Sequence, residues 1–127
     1  MQPRDDTIQT ILDTIEDGFF EVDLAGNMLV CNRALARIIG YPVPELLGKN
    51  YTEYMKAETA QLVYKVFSGV FLTREPVRGF EWELLRTDGS TLWVETSVSP
   101  VINGDGRIAG FRGVLRDISA RKKTEQL

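Results

Sequence analysis

The residue types that most often carry catalysis or hold metals are nearly missing from this sequence. Its 127 residues include no histidine and a single cysteine, Cys31. A His-ligated haem, a His-liganded zinc ion, a Ser-His-Asp triad, a Cys-His pair and an internal disulfide are therefore excluded. Cys31 ends a short apolar segment, where a small half-buried residue is its ordinary role. We predict neither a metal site nor catalytic residues.

Carboxylates are the remaining candidates for general acid–base chemistry. Glu81, Glu83 and Glu95 lie in two segments in which apolar and polar residues alternate. Alternate residues of a strand point to opposite faces, so these three carboxylates share the polar face. A base in an enclosed site must face inward. The pattern therefore disfavours the alternative function, a small α+β enzyme with a carboxylate base in a cone-shaped cavity.

Composition and charge indicate one soluble domain. The chain is 43% hydrophobic and 26% charged, with a net charge of -3, which is ordinary for a globular domain. The part from Arg107 onward is basic, but we expect its strand-borne charges to form cross-strand ion pairs with acidic neighbours, and we predict no nucleic-acid binding. The first residues lack a signal-peptide pattern, and no apolar run is long enough to span a bilayer. These features predict a cytoplasmic location without membrane contact.

Five segments have the alternation or the turn signals of strands. Asp88-Gly89 is the strongest hairpin signal, and Gly turns also follow Asp23 and Asn103. An antiparallel sheet with one apolar face results, and the apolar face holds Phe80, Trp82, Leu84, Val94, Thr96 and Val98. The predicted strands are residues 19–23, 28–31, 80–86, 92–98 and 108–118.

Helical signals separate the strands. Ile8, Ile11, Leu12 and Ile15 have the spacing of one helical stripe, which predicts an amphipathic helix over residues 6–16. Further helices are predicted after Asn32 as an N-cap with a stop at Gly40, from Pro44 to about Gly48, and over residues 57–72. The last nine residues favour a helix that begins at Ser119 and has nothing left to pack against, which predicts that the natural protein continues beyond Leu127.

The order of these elements, together with particular residues, resembles the PAS domain family over residues 7–121. No single motif is specific, but their order and spacing together are. The residues that carry the resemblance are Asp17-Gly18, Val22-Asp23, Asn32-Arg33-Ala34, Ile39-Gly40-Tyr41, Glu45-Leu46-Leu47-Gly48-Lys49-Asn50, Asp88-Gly89, Trp93-Val94-Glu95 and Gly113-Val114-Leu115-Arg116-Asp117-Ile118-Ser119.

The resemblance implies an α+β fold, a single domain in which a five-stranded antiparallel sheet has helices on one face and encloses a small cavity. It implies an amphipathic N-terminal helix in residues 1–17, a core over residues 18–118 and the start of an exit helix in residues 119–127. It also implies that the first and fourth strands lie on either side of the last one, which puts Arg112 and Arg116 near Glu21 and Glu95 as structural pairs. Domains of this family serve as sensory or dimerisation modules of sensor kinases, cyclases and transcription regulators. We therefore expect a module that passes a conformational signal to a covalently linked output domain and is not itself an enzyme.

The inner face of the sheet touches the ligand in family members that bind one. By that likeness, the residues expected to line a cavity are Phe20, Val22, Ile38, Tyr51, Phe80, Trp82, Leu84, Val94, Thr96, Phe111 and Leu115. The same residues are also ordinary core residues, and their bulk favours a core filled by side chains. The two interpretations stay open at this point.

The resemblance also bears on cofactors. Tyr51 stands where the flavin-binding light sensors of the family carry a reactive cysteine, and Leu115 stands where they carry an inward glutamine. Haem-binding members need an axial histidine, which this chain lacks. A flavin adduct and a His-ligated haem are thus disfavoured, no cofactor is predicted, and room is left for a small uncharged ligand.

Two further sites are predicted at the ends of the domain. The stripe of Ile8, Ile11, Leu12 and Ile15 predicts a homodimer through the first helix; the alternative is that this helix folds back over Trp93 on the outer face of the sheet. At the other end, Asp117, Ser119 and Arg121 form the predicted signal exit, in which Ser119 caps the exit helix and Asp117 pairs with Arg121 or with a backbone donor.

Overall fold

The sheet is built from five antiparallel strands, as the sequence predicts. A computed structural model describes residues 3–125 and the side chains of residues 7–125. The strands stand in the order β2-β1-β5-β4-β3, which places β5 at the centre. They are β1 (Gly18–Asp23), β2 (Met28–Cys31), β3 (Val77–Leu85), β4 (Thr91–Ile102) and β5 (Ile108–Asp117).

The helices are also close to their predicted positions, with one addition. Residues 1–2 and 126–127, which belong to the predicted segments 1–17 and 119–127, lie outside the described residues. A 3-10 helix between the third and fourth α-helices was not predicted from the sequence. The helical elements are α1 (Pro3–Thr14), α2 (Arg33–Ile39), α3 (Val43–Leu46), the 3-10 helix (Tyr51–Tyr54), α4 (Ala57–Thr73) and α5 (Ser119–Glu125).

The alternation of the strands fixes the inner face of the sheet. Phe80 pairs with Thr96, and Thr96 in turn pairs with Leu115. Val22 on β1 pairs with Phe111 on β5, so apolar side chains from four strands lie on one face. This face, covered by α2, the 3-10 helix and α4, forms the core, because each of these elements must bury its apolar stripe.

Asn32 fastens the entrance of α2 to three other segments. Its Oδ1 accepts hydrogen bonds from the backbone N–H groups of Leu35 (3.0 Å) and Phe19 (2.9 Å). Its Nδ2 donates to the carbonyl oxygens of Leu12 (2.8 Å) and Asp17 (3.0 Å). Asn32 is 0% exposed, and this one amide therefore joins α1, the α1–β1 connection, β1 and α2.

The other end of α2 is held by the β3–β4 hairpin. Gly40 ends the helix in the left-handed conformation (φ 99°), and its N–H donates to the carbonyl oxygen of Ala36, as is usual for glycine at a helix C-terminus. The guanidinium of Arg86 donates to the carbonyl oxygen of Ile38 at 3.1 Å. The hydroxyl of Thr87 donates to the carbonyl oxygen of Gly40 at 3.0 Å. These bonds satisfy carbonyl groups that the end of a helix leaves unpaired.

The two edges of the sheet, β2 and β3, differ in how they are protected. Beside β2, the N–H of Met28 donates to the carbonyl oxygen of Lys49 (2.9 Å), and the N–H of Gly48 donates to the carbonyl oxygen of Met28 (2.8 Å). Beside β4, the pairing of β3 is interrupted between Val77 and Phe80. One edge is therefore covered by the chain, and the other carries an irregularity.

Candidate functional site: a core cavity and the exit of the last strand

A small cavity lies between the inner face of the sheet and the helices that cover it. Its volume is about 40 Å³. Strands β1 to β5 form its floor, and α2, the 3-10 helix and α4 form its roof. The side chains that line it are Phe20, Val22, Met28, Leu35, Ile39, Tyr51, Tyr54, Met55, Val63, Val66, Phe67, Phe80, Trp82, Thr96, Val98 and Leu115.

Seven of the residues expected at the cavity are in its wall, and four are not. Leu84 and Val94 are fully buried in the core, further along β3 and β4 than the cavity reaches. Ile38 is partly buried and packs against the core beside the cavity. Phe111 stacks on Phe67 and borders a different, outer groove. The seven in the wall are Phe20, Val22, Tyr51, Phe80, Trp82, Thr96 and Leu115.

The wall residues that were not expected come mainly from the helical side. Strand residues were found by their period of two, whereas which side of a helix faces the cavity depends on how the helix is rotated on the sheet. Leu35 and Ile39 are four residues apart on α2, and Val63, Val66 and Phe67 follow the same spacing on α4, so their helical stripes were visible in the sequence. Tyr54 and Met55 carried no comparable signal.

The cavity is apolar except for a few neutral groups. Nε1–H of Trp82 donates to Oγ1 of Thr96 at 2.9 Å, in a buried position. Tyr54 is 5% exposed, and its hydroxyl has no hydrogen-bond partner among the described residues. Burial raises the pKa of Tyr54 well above its ordinary value. The hydroxyl of Tyr54 therefore stays protonated at neutral pH, and like the hydroxyl of Thr96 it can donate a hydrogen bond.

The cavity volume limits what it can hold in this conformation. A water molecule needs roughly 10–15 Å³ of such space, and a cavity that binds benzene measures about 150 Å³. A volume of about 40 Å³ is thus large enough for a few water molecules and too small for one aromatic ring. Bulky side chains fill most of the core.

The comparison with family models settles which fold this is. The model described as "PAS fold" matches residues 6–118, from α1 through the end of β5. The chain belongs to the PAS fold family. The PAS resemblance predicted from the residue pattern is therefore confirmed, together with the five-stranded α+β architecture.

Relatives of this PAS domain are parts of regulatory proteins. It is 30% identical over 106 residues to the nitrogen fixation regulatory protein of Klebsiella oxytoca, covering 82% of this chain and 21% of that protein. It is 25% identical over 122 residues to sporulation kinase C of Bacillus subtilis (strain 168), covering 91% and 26%. The chain thus spans about a quarter or less of the length of these two relatives.

A solved structure agrees with the fold. The PAS domain of a protein from Colwellia psychrerythraea superposes with a TM-score of 0.82 at 20% sequence identity, covering 91% of this chain and 98% of that one. At this identity the likeness shows the fold alone.

The exit of this PAS domain is capped by Asp117 and not by Ser119. Oδ1 of Asp117 accepts a hydrogen bond from the backbone N–H of Ser119 at 2.9 Å, so it satisfies one of the free donors at the start of α5. The Ser119 hydroxyl is buried and has no partner within the described part of the chain. The predicted Ser119 cap is therefore wrong, and of the two partners predicted for Asp117, Arg121 and a backbone donor, the structure has the backbone donor.

Arg121 instead joins α5 to the outer face of the sheet. Glu81 and Glu95 are direct partners across β3 and β4, where like charges repel. Nη2 of Arg121 lies 3.1 Å from a carboxylate oxygen of each. Nζ of Lys122 lies 2.6 Å from Glu81 and 5.0 Å from the ring centroid of Trp93. The helix that lies over Trp93 is thus α5.

The ion pairs of α5 with the sheet are stable at neutral pH, where Glu81 is deprotonated and Lys122 is protonated. The hydrogen bond from Lys122 is the main cause that holds the pKa of Glu81 below its ordinary value; desolvation acts against it, and the charges of Lys122 and Arg121 lower the pKa further. The hydrogen bond to Glu81 is the main cause that raises the pKa of Lys122. The ion pairs are therefore fully formed above the ordinary carboxylate pKa and are lost as the pH falls through the lowered pKa of Glu81.

The basic residues of β5 also have acidic partners. Nη2 of Arg112 lies 2.8 Å from Glu21, as predicted. Arg116 lies opposite Glu95 in the sheet, as predicted, but its ion pair is with Asp17, whose carboxylate lies 3.1 Å from its Nη2, whereas Glu95 is paired with Arg121. The basic C-terminal part of the sequence is thus largely neutralised by carboxylates of the same domain.

The apolar stripe of α1 is exposed in the single PAS domain. Ile8 and Ile11 are 48% and 55% exposed, and Leu12 is half-buried. Ile15, 40% exposed, lies just beyond α1, because the helix ends at Thr14 and not at residue 16 as predicted. The helix is attached near α2 through the hydrogen bond from Asn32 to the carbonyl oxygen of Leu12. In the described part of the chain, no helix is long and apolar enough to cross a membrane.

Proposed function

We propose that this PAS domain is a sensory and dimerisation module of a larger signalling protein and that it passes a conformational signal to a covalently linked output domain. The regulatory proteins that contain related segments support this proposal. Both ends of the domain are helices on its surface, which suits a module placed between other parts of a chain. We place it in the cytoplasm.

The short distance in sequence between the cavity and the exit carries the proposal. Leu115 lines the cavity, and Asp117, two residues later on the same central strand, caps α5. A shift of β5 caused by a change in the cavity therefore moves the first turn of α5 directly. Such a joint can bias the angle at which α5 leaves the sheet, which is the two-state element that a switch needs.

Asp117→Ala in the full-length protein should uncouple regulated output from the input while the domain stays folded. The lost cap costs about 0.5–2 kcal/mol, too little to unfold a typical domain. The measurement compares output with and without stimulus and checks the fold by circular dichroism.

Asp105→Ala is the matched control. Oδ1 of Asp105 accepts a bond from the N–H of Arg107, again two residues later, in the turn that enters β5. Because Asn103 also accepts a bond from this N–H, the control should lose less than about 1 kcal/mol and keep its regulation. Normal regulation in Asp117→Ala, or equal loss in both variants, would make the exit cap a purely structural contact.

We also propose that this domain is not an enzyme. Glu81 and Glu95 lie on the outer face of the sheet, where Arg121 neutralises them. The described residues that line the cavity include no charged side chain. A carboxylate base inside the cavity, which the enzyme alternative needs, is therefore not supplied by these residues.

For cofactors, we propose that the domain holds neither a flavin adduct nor a haem, and that its ligand is small and uncharged. Tyr51 has no thiol to form an adduct, and the sequence has no histidine to ligate haem iron. The purified domain should show no absorption band above roughly 350 nm, where tyrosine and tryptophan do not absorb and a flavin or a haem would. A stoichiometric yellow or red chromophore would overturn this proposal.

As a partner, we propose a second copy of this chain, which covers the α1 stripe of Ile8, Ile11, Leu12 and Ile15. Two exposed isoleucines on α1 and a third, Ile15, directly after it form the kind of apolar surface that marks an interaction site. We propose no nucleic-acid partner, because Arg112 and Arg116 are engaged by carboxylates, and no membrane contact by this segment.

A further inference from the structure

A second space adjoins the core cavity and shares two wall residues with it. It is an open groove of about 690 Å³ between α4 and the β1–β2 turn. Tyr51 and Phe67 line both the groove and the cavity. Phe71 and Leu24 line the groove alone. These two shared side chains, Tyr51 and Phe67, form the partition between the cavity and the groove.

The two rings of the partition pack together with a third ring, that of Phe111, which lines the groove. The rings of Phe67 and Phe111 are stacked, with centroids 4.9 Å apart and an angle of 18° between them. The Tyr51 ring meets Phe67 edge to face, with centroids 5.8 Å apart. Phe67 is the middle ring of the three and contacts both of the others.

Tyr51 and Phe67 differ in how firmly they are held. The N–H of Tyr51 donates to the carbonyl oxygen of Gly26 at 3.1 Å, and a Cβ at Gly26 would overlap the Tyr51 ring, so this ring is packed on the turn itself. Phe67 is half-buried and borders the open groove. Gly69 follows in the same helix with open space around its Cα, and glycine inside a helix weakens it.

We propose that Phe67 is a gate: its ring swings into the outer groove and joins the groove to the core cavity, which creates a site for an uncharged, planar molecule of one or two rings that accepts a hydrogen bond. This proposal rests on the sensory function proposed above and specifies its ligand and entry route. With the gate open, the joined space reaches the size of small-molecule sites, about 300–1,000 Å³.

The chemistry of the walls selects this ligand class. Aromatic rings surround the path, and flat molecules stack on them. Thr96 and Tyr54 line the cavity, each residue is 5% exposed, and neither hydroxyl donates a hydrogen bond to a described residue. They are therefore free donors for an acceptor atom of the ligand. A charged group would be buried without a partner, which costs far more than the contacts return.

Three probes of similar shape test the ligand class on this chain. Acetophenone is planar, uncharged and has an acceptor; ethylbenzene lacks the acceptor; benzoate is charged. The methyl signal of Thr96 in an NMR titration reports on the cavity. We expect a saturable shift with acetophenone, binding of ethylbenzene about tenfold weaker because one hydrogen bond is missing, and no shift with benzoate. Equal binding of all three, or none by acetophenone, would overturn the proposal.

Variants at two phenylalanines of the same helix test the gate. Phe67→Ala removes the partition and should tighten acetophenone binding by about tenfold or more, because the open state no longer has to be selected. Phe67→Trp should abolish the shift of Thr96. Phe71→Ala changes only the outer groove and should leave the affinity within about twofold.

The outcomes separate the gate from its alternatives. If Phe71→Ala weakens binding while the Thr96 signal stays unmoved, the probe sits in the groove and the gate is wrong. If Phe67→Ala binds no tighter than the parent chain, the gate is also wrong. Should Phe67→Ala fail to fold by circular dichroism, Phe67→Leu must show the same direction of change. The Asp117→Ala experiment measures regulated output and uses none of these probes. A failed titration would therefore contradict the gate and its ligand class without contradicting the proposed sensory function.

Discussion

Asn32→Ala should lower the free energy of unfolding by about 3–5 kcal/mol. The substitution removes the N-cap of α2, worth about 0.5–2 kcal/mol. It also removes the present partner of the N–H of Phe19 and of the carbonyl oxygens of Leu12 and Asp17. Because these groups are only partly buried, each costs about 1 kcal/mol, the low end of the range for unpaired buried groups. A typical domain has about 5–15 kcal/mol to lose, so urea unfolding should show a large shift of the midpoint.

Asn103→Ala is the control for this prediction. Its Oδ1 also accepts a bond from a backbone N–H, that of Arg107 at 3.2 Å, but at an exposed turn. We expect a loss below about 1 kcal/mol there, as for most exposed substitutions. If the two variants lose equal stability, the four-way contact of Asn32 does not hold the N-terminal part of the domain together.

Ile8→Glu combined with Ile11→Glu should convert the proposed dimer into a monomer. Burying an isoleucine side chain is worth about 1.5–3 kcal/mol, so removing two from each copy raises Kd by more than about a hundredfold. Both residues are about half exposed in the single chain, so the fold should not suffer. Light scattering across a concentration series measures the change.

The matched control replaces Leu29 and Leu47 by glutamate, since they are exposed to a similar extent, 52% and 45%, away from α1. This control should dimerise like the parent chain. A parent chain that is monomeric at all concentrations, or an α1 variant with an unchanged dimer, would contradict the proposal. In that case the α1 stripe would have to be covered by another part of the full-length protein.

The sequence predicted the sheet well because strand alternation is a local signal that the sheet itself enforces. Phe80, Trp82 and Thr96 face inward as expected, since a shift of one residue would turn the whole strand inside out. The N-cap at Asn32 and the stop at Gly40 were equally local. These signals depend on neighbours within a few residues, which a single sequence displays directly.

The remaining features depended on contacts between distant parts of the chain. Arg121 was expected near Asp117 and lies instead between Glu81 and Glu95, because the sheet places two carboxylates opposite each other beside α5. Ser119 has a side chain suited to an N-cap, yet its hydroxyl has no partner among the described residues, and Asp117 accepts a bond from the N–H of Ser119 instead. Ile38 and Phe111 are apolar and buried to different degrees, but only the packing of α2 and α4 decides that neither reaches the cavity.

The unequal edges of the sheet have a consequence for how copies of this domain can meet. An open, flat edge strand invites strand-by-strand growth and aggregation. Here the backbone groups of Met28 are taken by residues 48–49, and the irregular pairing of β3 near Gly79 (φ 71°) lies beside the charges of Arg78 and Glu81. Neither edge therefore offers a uniform ladder for runaway polymerisation, and encounters between copies are directed to side-chain surfaces, where affinity can be limited and reversible.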